Sequence, residues 1–390
     1  MKDGVVLKAN FFIPKYMKTF KCIGPNCIDT CCAGWDINID ENTFNKYEND
    51  KGKLKELITG KYLKNSESDD SFNYGFMKIT EDNKCPFLNK NLLCEIHGKC
   101  GEENLSITCR RYPRVFNIID NIYEKSGLPS CEEICSKAFL NKEKMEFIEI
   151  EEEFDEDSIE IRRVIDSEAF IDSDNLIQYF WDIRVISINI MQNRNFSIEE
   201  RLSLLKAFYK SLEDLKTEEN FYEIEDLLKK ITEYPSNITE FIDSKKIITL
   251  SITNNFFKII LDENLLRKVI GTRLKKLLSD LNKDQNLFNN IHKYDLKSFD
   301  TYFKKYSYIF ENYLVNQIFK DIIPFNTGGN LNESIHKLIN TYKLIKSYLI
   351  LWNISSQNEI SEKNIIYVIQ ALSKDLEHNK VFKDILNYNI

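Results

Sequence analysis

The sequence predicts a mainly α protein: an N-terminal, cysteine-rich, irregular α+β metal-binding domain followed by an all-α helical domain. Three observations lead there. All ten cysteines lie at positions 22, 27, 31, 32, 85, 94, 100, 109, 131 and 135, with none in the 255 residues that follow. Up to about residue 140 short apolar runs are broken by turn formers, whereas from about residue 172 apolar residues recur at three-and-four spacing. At 390 residues the chain can bury a large core, and a prior of about 150 residues per domain suggests two or three units. We divide it into a cysteine-rich domain at 1–140, a strand and acidic linker at 141–171, and a helical domain at 172–390.

Taken in order, "VVLKANFFI" reads as a strand, and "CPFLNKNLLCEIH" as a hairpin with Phe87 and Leu88 on one arm, Asn89 to Asn91 as turn, and Leu92, Leu93 and Ile96 on the other. "MEFIEIEEEFDED" starts with strand-like alternation and ends in an acidic run that reads as a solvated boundary. In "NLIQYFWDIRVISINIMQ" the stripe Leu176, Phe180, Ile183, Ile186 and Ile190 predicts a helix packed on a core, with Asn193 to Asn195 as its break. Ser197 followed three residues later by Glu200 has capping-box spacing and opens the next helix. Further helices are predicted at 219–232, 236–258, 262–282, 298–321, 331–355 and 361–387, punctuated by Pro324 and "NTGG".

Composition excludes some functions. A net charge of -8 argues against a general nucleic-acid binder. The first residues lack the apolar core of a signal peptide, and no run reaches the roughly 18 apolar residues of a spanning helix. The expectation is therefore a cytoplasmic protein without a transmembrane segment, with peripheral membrane attachment left open. No G-x-G-x-x-G loop is present, so the usual dinucleotide-binding route is not visible.

In a reducing compartment, crowded cysteines point to metal or redox chemistry rather than disulfides. A four-ligand site is assembled most easily from short Cys-to-Cys loops. The spacings here are C-x4-C-x3-C-C, then C-x8-C, then Cys109 in "CRRYPR". Plant-type ferredoxin spacing is missed by one residue. The C-x3-C-x2-C pattern of radical S-adenosylmethionine enzymes begins at Cys27 and Cys31 but meets Gly34. Adjacent Cys31 and Cys32 project differently in most backbones, so one of them belongs to packing or to a second centre. Spacing does not separate zinc from iron–sulfur, and His97 is a possible mixed ligand. His292, His336 and His378 read as surface residues. Arg110, Arg111 and Arg114 flank Cys109 and suit carboxylate or phosphate recognition, or simply offset thiolate charge. Arg184, Gln192 and Arg194 are polar groups beside an apolar helix face, and Arg110 and Arg184 are the candidate cofactor-binding pair.

The segments "YMKTFKCIGPNCIDTCCAGWDINID", "CPFLNKNLLCEIH", "LSITCRRYPR" and "LPSCEEICSKAF", with "WDIRVISINIMQNR" and "ENYLVNQIFKDIIPF" further on, resemble the flagellin lysine N-methylase (FliB-type) family, with a YkgJ-type cysteine cluster. The resemblance covers most of the chain and implies transfer of a methyl group from S-adenosylmethionine to lysines of flagellin, which would be the protein partner. It also implies an iron–sulfur cluster of the [4Fe-4S] type, zinc being the alternative. By motif, Cys22, Cys27, Cys31, Cys32, Cys85, Cys94, Cys109 and Cys131 match the family's cysteines, and Cys100 and Cys135 are accessory. Asp36 and Glu95 are acidic candidates for proton transfer. The competing reading is a non-catalytic zinc- or iron-binding structural or redox adaptor.

Overall fold

In a computed structural model of the chain, the described residues are 6–155, 159–171, 173–242, 250, 254–283, 286–287, 291, 294–327, 330–356 and 359–379. The predicted N-terminal strand is β1 (Val6–Pro14), whose Phe11 and Ile13 turn inward and are almost fully buried. Two small three-residue-or-shorter pairings, β2 (Asn38–Ile39) with β4 (Gly75–Met77) and β3 (Tyr62–Lys64) with β4, make a second sheet in the order β2-β4-β3.

The main sheet is completed by the strand predicted in "MEFIEIEEEFDED" and by three further strands that sequence reading did not place. β5 (Arg114–Ile119) and β6 (Ile122–Gly127) form an antiparallel hairpin closed by Asp120 and Asn121, both at positive φ. Such residues match the right-handed twist of the flanking strands. β7 (Phe147–Asp155) runs antiparallel to β1 over nine paired residues, and β8 (Ile161–Ile165) runs parallel to β5. The order is β7-β1-β6-β5-β8. The stretch 141–171 is therefore not a linker: it supplies both outer strands. Its acidic run sits on β7 because side chains alternate along a strand. Glu149, Glu151 and Glu153 face solvent, while Ile148, Ile150 and Phe154 pack on the core.

One large core joins this sheet to the helices, from Phe11 through the helix Glu132–Phe139 to Leu376 in the last helix. The predicted stripe is buried: Leu176, Phe180, Ile183, Ile186 and Ile190 are each at most 4% exposed. The following helix, Ile198–Thr217, carries the capping box, with Ser197 and Glu200 bonded reciprocally. The helix predicted at 262–282 is two, Glu263–Lys268 and Thr272–Asn282. Between them Ile270 and Gly271 donate their backbone N–H groups to the Asp375 carboxylate at 2.8 and 3.0 Å, a stronger claim than helix propagation. Tyr306 likewise interrupts 298–321, giving Asp300–Lys305 and Ser307–Asp321. Within 236–258 the helices Ile238–Phe241 and Asn254–Ile260 are seen, and parts of that range, with His292 and the end of 361–387, lie outside the described residues. No helix among the described residues is long and apolar enough to cross a membrane.

Residues 37–105 gather around a separate, smaller core of Ile37, Ile39, Phe44, Tyr47, Leu54, Ile58, Met77, Cys85, Phe87, Ile96 and Leu105. Asp40 ties it together: Oδ1 caps the helix Glu41–Asn49 by accepting from Thr43 N at 2.9 Å, and Oδ2 accepts from Ile107 N at 2.9 Å.

Candidate metal centre and its junction with the last helix

The small core draws four cysteines together. An isolated bridge between Ala33 and Lys84, with Cys85 N donating to Cys32 O at 2.8 Å, sets the Cys32 strand beside Cys85. The predicted hairpin is present as a single bridge, Leu88 to Cys94, after which Cys94 begins the helix Glu95–Cys100. Ile96 and His97 consequently lie on a helix rather than on a hairpin arm, with Ile96 buried, His97 exposed, and Leu92 and Leu93 partly exposed at the tip. Cys109 sits in the short helix Ile107–Arg111, whose cap Ser106 accepts from Cys109 N. Burial pushes the Cys85 thiol up, and Cys32, Cys109 and Cys94 push it further; Cys109 is raised to about 12 by burial, with Cys32 and Cys94 adding to it.

The other cysteines lie toward the large core. Cys22 is exposed, with Gly24 N donating to its Sγ at 3.4 Å. Cys27 Sγ is 3.8 Å from Glu132 Oε2, which also accepts from Ile28 N at 3.0 Å and Arg273 Nη2 at 3.1 Å. Cys131 immediately precedes that glutamate and is raised to about 12, first by burial and then by Cys27 and Cys22. Cys31 is pushed up by its hydrogen bond with Cys32, by burial, and by the charges of Cys109 and Cys22; the same bond lowers Cys32. Cys135 is fully buried and donates to Pro129 O at 2.9 Å, and Cys100 packs on the small core. All ten are free thiols.

Among the described residues no three His, Cys, Asp or Glu side chains are grouped closely enough to hold a metal ion as they stand. Crowded, half-buried thiols resist ionisation through desolvation and through one another's charge, and a bound cation reverses both effects.

The cysteine segments meet the last helix, Glu362–His378, along one face. Asp29 accepts from Gln370 Nε2 at 2.8 Å and from Lys374 Nζ at 3.1 Å, all three being at most 8% exposed. Gly34 holds φ of 90°, and a side chain there would stand 3.1 Å from Ile270 O, so this turn requires glycine. The turn lays Trp35 on His378, ring centroids 4.0 Å apart, with Lys374 Nζ 5.0 Å from the Trp35 ring and the Tyr112 ring 5.1 Å from Trp35 and 6.4 Å from His378. Tyr112 donates to Ser130 Oγ at 3.3 Å, and Ser130 Oγ lies 3.4 Å from His378 Nε2. The "CCAGW", "CRRYP" and "LPSC" segments thus converge on one helix end. Nearby, Glu377 stands 3.6 Å from Lys320 Nζ; burial raises its carboxyl, against the pull of Lys320.

Residues 184–389, just over half of the chain, match the FliB lysine N-methylase C-terminal domain. The chain belongs to this family. Salmonella typhimurium Lysine-N-methylase is 29% identical over 133 residues, covering 34% of this chain and 33% of the relative. Flagellar biosynthetic protein FliU of Salmonella muenchen is likewise 29% identical over 133 residues, 34% of this chain and 78% of that protein. The alignment to the first of these FliB-family relatives thus spans about a third of its length. No solved structure matches.

Within the FliB-type chain, the two predicted cofactor arginines are placed very differently. Arg110 lies beside Cys109 with its buried Nε unpartnered. Arg184 is 2% exposed, donates to both Glu124 carboxylate oxygens at 2.5 and 2.9 Å and to Phe319 O at 3.2 Å, and ties the sheet to the helices. Arg194 pairs with Glu311, Gln192 donates to Met145 O, Arg111 pairs with Glu160, and the Arg114 guanidinium lies over the Phe20 ring. Glu95 is bound by Lys99 at 2.8 Å, which holds its carboxyl low, and Asp36 is exposed. Sequence reading passed over Asp29, Lys374, Glu377 and the ring contact of His378. Trp35 and Tyr112 were visible as motif letters, but nothing local marks the last helix as their partner.

Proposed function

We propose that this chain is a protein-lysine N-methyltransferase that uses S-adenosylmethionine to methylate flagellin, with an iron–sulfur cluster of the [4Fe-4S] type held by cysteines from the set Cys22, Cys27, Cys31, Cys32, Cys85, Cys94, Cys109 and Cys131. The observation that carries the reading is the junction. The last helix lies in the region that matches the FliB domain, and its end closes on the cysteine-bearing segments through Asp29, Trp35 and Ser130. The relatives' names, Lysine-N-methylase and Flagellar biosynthetic protein FliU, supply the reaction and the flagellar substrate class.

The chemistry asks for a neutral lysine amine in line with the methyl–sulfur bond of the sulfonium. The amine attacks the methyl carbon, the carbon–sulfur bond breaks, and the lysine proton leaves to a base. The aromatic faces of Trp35, Tyr112 and His378 suit a cationic sulfonium or ammonium by cation–π attraction. Glu377, its carboxyl raised by burial, is better matched to accepting a proton than Glu95, which Lys99 holds low. When bound, a cluster with an open iron would offer an anchor for the amino-acid end of S-adenosylmethionine.

The test is anaerobic purification, metal analysis, and incubation with flagellin and methyl-labelled S-adenosylmethionine. Label on flagellin lysines, with a visible charge-transfer band that shifts when S-adenosylmethionine is added, is the expected result. A metal-loaded chain that transfers no label and leaves the spectrum unmoved would overturn the reading in favour of a zinc or redox adaptor.

A further inference from the structure

We infer that Glu377 seats the target lysine by its ammonium N–H groups, with Lys320 as its positioning residue, so that the site selects amines bearing N–H groups over a quaternary trimethylammonium. This rests on the lysine-directed function proposed above. It adds how the amine is held and which amines are refused.

Of the carboxylates Asp29, Glu132, Asp321, Asp375 and Glu377 at this junction, the first four are engaged. Asp29 accepts from Gln370 and Lys374 at 2.8 and 3.1 Å, and Glu132 from Ile28 N and Arg273 at 3.0 and 3.1 Å. Asp375 accepts from Ile270 N and Gly271 N at 2.8 and 3.0 Å, and Asp321 from Lys320 at 2.8 and 3.0 Å and from Arg162 at 3.1 Å. Glu377 differs. Both its carboxylate oxygens are buried, and among the described residues neither has a hydrogen-bond donor in position. A buried acceptor without a donor is costly, and a ligand N–H group relieves that cost.

Lys320, 1% exposed, holds the carboxylate in place. Its Nζ is bonded to Asp321 and stands 3.6 Å from Glu377 Oε1, within ion-pair range but beyond a hydrogen bond, while its backbone carbonyl accepts from Asn117 Nδ2 at 3.1 Å. Burial raises the Glu377 carboxyl, and Lys320, then Ser130, draw it back. Ser130 Oγ also lies 3.3 Å from the Tyr112 hydroxyl and 3.4 Å from His378 Nε2, which sets the open carboxylate beside the Trp35–His378 stack. Glu377 keeps 11% of its side chain exposed and the adjacent His378 is exposed, so the carboxylate lies close beneath the surface.

Aromatic faces attract any cation, methylated ones included. A carboxylate with open acceptor positions adds charge-assisted hydrogen bonds, and these go to a cation that carries N–H groups. Lysine gains from both surfaces, a trimethylated side chain from the rings alone. In the transfer the seated amine gives one N–H proton to the carboxylate and its freed lone pair forms the nitrogen–carbon bond. The methyl–sulfur bond of S-adenosylmethionine breaks with its electron pair left on sulfur.

The full chain is titrated with Nα-acetyl-lysine methylamide and with its Nε-trimethyl counterpart, as wild type and as Glu377→Gln, and dissociation constants are read from the NMR signals of the probes. Wild type is expected to bind the lysine probe roughly tenfold or more tightly than the trimethyl probe. Glu377→Gln is expected to lose that preference and keep its affinity for the trimethyl probe. Equal or tighter binding of the trimethyl probe by wild type, no binding of either probe, or a preference that survives in Glu377→Gln overturns the inference. The wild-type comparison needs no variant, so a Glu377→Gln chain that fails to fold leaves the test intact. Lys320→Met is expected to narrow the preference and Lys320→Arg to restore it; a Lys320→Met chain with the wild-type preference overturns the positioning role. A chain that seats lysine in this way but methylates nothing would sink the proposed function and leave the seat standing. A methylating chain that binds both probes alike would do the reverse.

Discussion

The two cores of this chain are built by different means. Among the described residues the small one has eleven buried apolar side chains, one of them a cysteine, spread over helices of six to nine residues and strands of two or three. The large one has a five-stranded sheet and helices up to 26 residues long, with buried side chains contributed from Phe11 to Leu376. Burial contributes about 1.5–3 kcal/mol per large apolar side chain and must offset backbone ordering of about 1–2 kcal/mol per residue. The small unit has few buried groups per ordered residue, whereas the large unit buries a long series of apolar side chains. Five of the ten thiols, Cys32, Cys85, Cys94, Cys100 and Cys109, lie in or against the smaller core.

If the thiols hold a metal, as proposed, its removal breaks this comparison most sharply. A chelator, or the Cys85→Ser, Cys94→Ser variant, should expose residues 37–105 to protease and to amide exchange while the large unit stays protected, because structural thiolate sites contribute on the order of 10 kcal/mol to folding. Uniform protection in both regions after metal removal would show that the small core stands without a cross-link.

The large unit should instead be sensitive to its buried polar tie. Arg184→Met leaves Glu124 buried and unpaired, and should cost about 3–5 kcal/mol in chemical denaturation without changing the metal content. The double variant Arg184→Met, Glu124→Leu should recover most of that loss; no recovery would show that the pair does more than neutralise itself.

A smaller effect is expected in acid. Burial pushes the Asp321 carboxyl up, but Lys320 and Arg162 outweigh it and hold the group at about 2. A depressed carboxyl adds stability that is complete above its ordinary value near 3.8 and is lost as pH falls through the folded value. The Asp321→Asn variant should therefore lose roughly 2 kcal/mol at neutral pH and show a flatter acid limb between about pH 4 and 2. An unchanged limb would mean that other carboxylates set acid stability.

The smallest change sharpens the comparison by touching only local structure. Ser197→Ala removes one side of the capping box and should cost about 1 kcal/mol in thermal or chemical unfolding, with no change in protection of residues 37–105. A loss of protection there would show that the two units unfold together.

These outcomes bear on how much was legible beforehand. The helical stripe at 176–190, the cap at Ser197 and the first strand were readable because period and capping are properties of a few consecutive residues. The breaks at Val269–Gly271 and Tyr306 were not, since the first depends on Asp375, over a hundred residues away. The acidic stretch on β7 looked like a boundary because its partner strand is β1, at the opposite end of the cysteine-rich region. In the candidate site the thiols and the motif letters Trp35 and Tyr112 stood out, while Lys374 and Glu377 were hidden in an amphipathic helix whose pattern fits ordinary packing.

By itself the sequence determined which groups are present for chemistry: ten thiols in its first 135 residues, a helical remainder, and motifs that place it in the FliB family. Tertiary structure alone decided which of those groups meet. It bound Arg184 to Glu124, set Trp35 against His378, and distributed the thiols between two cores. The physical reason is range: propensity, capping and spacing act within a few residues, whereas burial and charge pairing act between whatever residues the fold brings to within a few ångströms.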